Sequence, residues 1–131
     1  LMIGSSRKLA VWAFTQPVDM RKGYDGLFGI VTQALRRDPL QGDVFLFVSK
    51  TRKSCKALLW DGTGLCIYQK RLEQGRFASL WRDDDQHEMS LTMSELQLFL
   101  EGSRFVGKIA LSPPQHRAKT VAEVLASRGV R

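Results

Sequence analysis

The chain is poor in the residues that staple, ligate or anchor small proteins. It has two cysteines, Cys55 and Cys66, and two histidines, His87 and His116. Their spacing matches no zinc pattern and the histidines lie far apart, so no metal site and no other cofactor is expected. No apolar run approaches the ~20 residues that a bilayer-spanning helix needs, which argues against a membrane partner. The first residues lack a charged region followed by a long apolar stretch, so no secretory signal is expected. The thiols are then read as reduced and the protein as cytoplasmic. Repeats and low-complexity segments are missing as well. Carboxylates are the minority charge: 13 Asp and Glu face 20 Lys and Arg, a net charge of +7 at pH 7. That excess favours polyanionic partners and says nothing about fold.

What remains suffices for one domain. A chain of 131 residues that is 44% hydrophobic can bury a core without staples. Its organising stretch runs from Asp43 to Phe77. Val44-Phe45-Leu46-Phe47-Val48 is a short apolar run rich in β-branched and aromatic residues. It suits a central strand buried on both faces. Lys56 to Trp60 reads as a second strand, Asp61-Gly62-Thr63-Gly64 as a turn whose glycines accept positive φ, and Leu65 to Leu72 as a third strand. Closing the turn around Gly62-Thr63 places Lys56 across from Gln69, and Cys66 across from Leu59 rather than Cys55.

This hairpin carries the charge. Lys50, Arg52, Lys53 and Lys56 stand near one end of it, and Lys70, Arg71 and Arg76 return towards that end. One positive patch built from two segments is expected, although solvated lysines that keep a sheet edge soluble would read the same way. Arg21-Lys22 are expected in the first turn of a helix, against the macrodipole, which hints at an external anion beside the bland reading of a solvated helix start.

Around the hairpin, Leu9 to Phe14 reads as a strand that joins the sheet. Asp19 to Leu35 contains a helix with Asp19 as candidate N-cap, and with Met20 and Tyr24 read as core. Gly23, Gly26 and Gly29 weaken that helix, a cost explained if they let it lie close on the sheet. Arg36-Arg37 at its end suit the dipole and are assigned no function. Arg76 to Trp81 is expected to begin another strand, and Met89 to Leu91 to be extended. Thr92-Met93-Ser94-Glu95 matches a capping box, with Gly102 as the helix stop. A strand over Lys108 to Leu111 and a basic amphipathic helix from Gln115 to Ser127 complete the pattern. The fold class is α+β: a single domain with a mainly antiparallel sheet of about five strands and two to three helices packed on it. Residues 1–104 form the α+β domain. Residues 105–131 form a basic tail with a helix, part of that domain or appended to it.

Asp83, Asp84 and Asp85, with His87 and Glu88, superficially suit a magnesium-dependent nuclease. Adjacent residues point in different directions, however, and such sites gather carboxylates from separate elements. A solvated turn is the preferred reading, and no catalytic residue is assigned.

Four stretches carry a family resemblance: PVDMRKGYDGL (Pro17 to Leu27), RDPLQGDVFLF (Arg37 to Phe47), LLWDGTGLCIYQKRLEQGRF (Leu58 to Phe77) and LTMSELQLFLEG (Leu91 to Gly102). Together they resemble the small accessory protein of IS-66-type bacterial insertion sequences, the product of the second open reading frame, often called TnpB. The resemblance covers Val11 to Gly102 and implies a role in transposition beside a separate, larger transposase. It supplies no catalytic residues. The basic loop Ser49 to Ser54 and the tail from Phe105 depart from the pattern.

The expected function is a non-catalytic accessory factor that binds insertion-sequence ends. Its DNA-binding candidates are Arg21, Lys22, Lys50, Arg52, Lys53, Lys56, Lys70, Arg71 and Arg76. Tyr68 and Trp60 are further candidates for stacking on single-stranded DNA, with core packing as the blander role. The alternative is a protein–protein adaptor for the transposase of the same element, or a self-association module, in which the charge only maintains solubility.

Overall fold

The run Val44–Val48 forms strand β2, and all five of its residues are buried. Polar edges are therefore excluded from its flanks, and it takes the middle of the sheet. The structure, a computed structural model, describes residues 9–83 and 85–102. Within them the elements are β1 (Val11–Phe14), α1 (Tyr24–Gln33), a 3₁₀ turn (Pro39–Gln41), β2, β3 (Ser54–Trp60), β4 (Leu65–Arg71), β5 (Glu88–Leu91) and α2 (Met93–Leu100). The sheet order is β4-β3-β2-β1-β5. Three of the four pairings are antiparallel, and β1 runs parallel to β2. A parallel pair needs a crossover, which α1 and the 3₁₀ turn supply. The architecture is α+β, as expected, with the helices on opposite faces.

Alternation along the strands sorts the core into two layers. Phe45, Phe47 and Leu58 face α1 and meet Val18, Leu27, Val31 and Leu35. Val44, Leu46, Val48, Cys55 and Ala57 face the other way, towards Leu96 and Phe99 of α2. There Phe77 stacks on Phe99 with ring centroids 4.8 Å apart. The hairpin register is the expected one: Lys56 pairs with Gln69 and Leu59 with Cys66. At the turn only Gly62 takes positive φ, 104°. The Asp61 carboxylate accepts the N–H groups of Thr63 and Gly64 at 2.9 and 3.0 Å, which fixes the turn.

The capping box is present. Thr92 Oγ1 accepts the Glu95 N–H at 3.0 Å, and Glu95 Oε1 accepts the Thr92 N–H at 2.8 Å. Gly102, at φ 81°, follows the last turn of α2.

Three expectations are corrected. Helix α1 begins at Tyr24 with Gly23 as N-cap, not at Asp19. Asp19 instead accepts the N–H of Arg21 two residues on and grips the Arg21 guanidinium, a local bond that competes with capping. Tyr24 consequently falls on the exposed side of the first turn rather than in the core. Nor do the α1 glycines serve close packing on the sheet: a Cβ at Gly29 or Gly23 would meet nothing within 4 Å, and one at Gly26 only the Lys22 side chain. Finally, residues 76–81 pair with no strand. Phe77, Ala78 and Leu80 are nonetheless buried, because the segment folds under α2 and completes that layer. The strand expected over 108–111 and the helix over 115–127 lie outside the described residues.

Candidate nucleic-acid interface

The strand directions bring the charged segments to one end of the sheet. There β2 ends, β3 begins and β4 ends, so the loop 49–53 lies beside Arg71. Backbone bonds draw in two further segments. The Val18 N–H donates to the Val48 carbonyl at 3.0 Å, bringing the approach to α1 against the end of β2. The Leu72 and Phe77 N–H groups donate to the Lys53 and Arg52 carbonyls at 2.8 and 2.6 Å, folding 72–77 over the loop. Arg52 adopts φ 61°. Its guanidinium returns to the Phe77 carbonyl at 3.2 Å, so a charged side chain holds its own unusual backbone in place.

Residues 19–25, 49–56 and 70–77 hold nine Lys and Arg against three carboxylates, a local excess of six in a chain of net charge +7. Almost all of the protein's charge imbalance therefore resides in three segments that meet. One of the carboxylates, Asp19, is consumed by Arg21 at 2.7 Å. That contact, with the Arg21 N–H bond, pulls the Asp19 carboxyl down to about 2.

The nine candidates are not equivalent. Lys56 is 8% exposed, and its ammonium donates to the Lys22 carbonyl at 2.7 Å. It acts as a tether that fixes the α1 approach on the sheet. Lys70 projects from the opposite face, one residue out of phase in the alternation, and donates to the Leu100 carbonyl at the end of α2 at 2.6 Å. There it meets the negative end of a helix dipole. Lys22, Lys50, Lys53, Arg71 and Arg76 are exposed and share no ion pair among the described residues. These five form the accessible part of the patch, with Arg21 and Arg52 beside them.

Sequence reasoning passed over one other site. Arg37 lies 3.4 Å over the Trp12 ring and forks onto Glu88 at 2.8 and 2.6 Å. Trp12 Nε1 in turn donates to Asp43 at 3.2 Å. This network clamps the end of α1 to β1 and β5 and uses the carboxylate of the acidic loop nearest the sheet. His87 lies against Phe14, ring centroids 6.4 Å apart. The loop 83–88 thus has a structural anchor at its β5 end. Tyr68, a stacking candidate from the sequence, is 49% exposed. It stands on edge strand β4 across from Ala57.

Of the thiols, Cys55 is buried, which pushes it up to about 12. Cys66 is half-buried and also raised, by partial burial and by the Asp61 carboxylate near its Sγ. Neither is in a disulfide. Among the described residues, no helix is long and apolar enough to cross a membrane.

By its sequence, the chain that forms this open α+β sheet belongs to a family named for the insertion sequence IS66. The chain is a member of the IS66 Orf2-like family, whose sequence model, described as IS66 Orf2 like protein, matches residues 9–108. Two relatives come from Sinorhizobium fredii (strain NBRC 101917 / NGR234). The uncharacterized protein y4jC is 45% identical over 58% of this chain and 65% of its own length, so the match spans slightly under two thirds of that relative. The uncharacterized protein y4hO is 32% identical over 77% of this chain and 86% of its own. No solved structure matches the chain.

Proposed function

We propose that this protein is a non-catalytic accessory factor in transposition that binds element DNA through the cationic end of its sheet. The observation that carries the reading is the meeting of five exposed cations, without ion-pair partners among the described residues, on a frame held by buried strands. Such a surface contacts phosphates, giving affinity with little sequence information. The two described helices lie on opposite faces of the sheet, so they do not form a helix-turn-helix reader. Sequence choice then rests with the transposase, which is the second partner in this proposal.

The test is DNA binding by the full chain carrying Lys53→Glu and Arg71→Glu together, followed by fluorescence anisotropy at low salt. Affinity equal to that of the unmodified protein rejects the reading. A second reading, as an adaptor, is favoured by one observation. The outer edge of β4 has no strand partner among the described residues, and an open edge is a template for pairing with another chain. Unchanged DNA affinity in the double variant, together with retained capture of the transposase, would favour the adaptor.

A further inference from the structure

Beside the cationic end, β4 and α2 enclose an open groove of about 440 Å³. Tyr68 and Met93 line it with large side chains that are 49% and 50% exposed, and Leu96 and Leu100 complete the apolar part. Ser94 and Gln97 add a hydroxyl and an amide. A flat aromatic face, a thioether and two groups able to donate or accept make up a surface suited to a planar heteroaromatic ring with polar edges.

The surroundings specify which ring. Lys70 lines the groove, and Arg71 ends the same edge strand about 10 Å from Tyr68 at the rise of an extended chain, its side chain on the other face by the alternation. Arg76 lies where 72–77 folds over the basic loop. The groove therefore lies next to the cationic end of β4, whose exposed cations are reached around the open edge of that strand. Glu101 lines its far side, and Lys70 is already committed to the Leu100 carbonyl at 2.6 Å, so the interior disfavours a phosphate and leaves that group to the rim. In a closed duplex both faces of every base are stacked, and an aromatic side chain reaches a base only where the strand is unpaired.

We propose that Tyr68 is a stacking platform for an unpaired nucleobase held in the β4–α2 groove, with the flanking backbone led around the open edge of β4 to Arg71 and Arg76. The inference rests on the DNA-binding reading and adds a substrate class to it: the protein prefers single-stranded or frayed DNA to closed duplex. Stacking is tolerant of base identity, so the preference is for strand state rather than sequence.

The experiment uses the full chain and one oligonucleotide containing 2-aminopurine, offered single-stranded and as a duplex. Single-strand binding is expected to be the tighter and to change 2-aminopurine fluorescence. Tyr68→Ala should weaken single-strand binding by about tenfold and abolish the fluorescence change, with duplex affinity unchanged. Tyr68→Phe, which keeps the ring, should behave as the unmodified protein does and shows that the fold tolerates the position. Equal losses on both DNA forms, or no loss on either, would overturn the proposal. If Tyr68→Ala has no effect while Lys53→Glu with Arg71→Glu weakens both forms, the platform is refuted and the phosphate surface stands. If the unmodified protein binds neither form, both fall. A Tyr68→Ala variant that only changes the oligomeric state would assign the groove to a second copy and likewise overturn the proposal.

Discussion

The sharpest consequence of the cationic end is a salt dependence whose steepness follows from a count. Each phosphate neutralised on duplex DNA contributes about −0.9 to the slope of log affinity against log salt. Lys22, Lys50, Lys53, Arg71 and Arg76 are the exposed cations without ion pairs among the described residues. If all five reach phosphates, the slope is about −4.5, and affinity falls about 500-fold between 50 and 200 mM salt. Replacing Lys53 and Arg71 with glutamate leaves three contacts and a slope of about −2.7, or about 40-fold over the same interval. The two curves should therefore diverge at low salt and converge at high salt. Anisotropy titrations of one duplex at four or five salt concentrations measure both slopes. Parallel lines, or an unmodified protein with a slope shallower than about −2, would show that the cluster is not a phosphate-contacting unit. Lys70→Gln is the internal control: its ammonium is held by the Leu100 carbonyl on the other face, so the slope should not change while stability falls.

Further predictions concern the frame. Arg37→Ala removes a forked ion pair and a cation–π contact from half-buried positions, and should cost about 2 kcal/mol in urea unfolding. Arg37→Lys, which keeps the charge but not the fork, should recover less than half of that, and full recovery would contradict the geometric account. Gly29→Ala should stabilise by roughly 0.5–1 kcal/mol, since a Cβ there meets nothing within 4 Å in the interior of α1, and destabilisation would mean that another surface covers the site. The Asp61 carboxyl is held down to about 2, chiefly by the Thr63 and Gly64 N–H groups. Because its folded value is depressed, its contribution is complete above the unfolded value of about 4 and fades as pH falls towards about 2. Over that window the unmodified protein should lose more thermal stability than Asp61→Ala, and equal losses would refute the turn's dependence on the charge. In alkylation followed by mass spectrometry at pH 8, Cys66 should react well before buried Cys55, whose thiol sits at about 12.

What was legible in the sequence was what neighbouring residues settle among themselves. A short apolar run of β-branched and aromatic residues suits a strand covered on both faces better than a helix, and β2 is one. A glycine-bearing turn of fixed length sets the register of its hairpin, so Lys56 opposite Gln69 followed directly. Thr92 and Glu95 satisfy each other's backbone within one turn, and the cap formed as read. The start of α1 was misread for the same local reason turned around: Asp19 had a nearer partner in Arg21 than in the helix.

The sequence by itself determined the strands of the hairpin and their register, the cap of α2 and the fact that cations recur in three separate segments. It did not determine that β1 inserts between β2 and β5, that Arg37 closes on Trp12 and Glu88 across the fold, or that Lys56 and Lys70 are drawn off to carbonyls on opposite faces. Those outcomes depend on contacts between residues up to 80 positions apart, as Val11 with Leu91, whose energies exist only once the chain has closed its loops. Only the tertiary structure could separate the cations that hold the frame from those left facing water, because that distinction is one of partners and not of residue type.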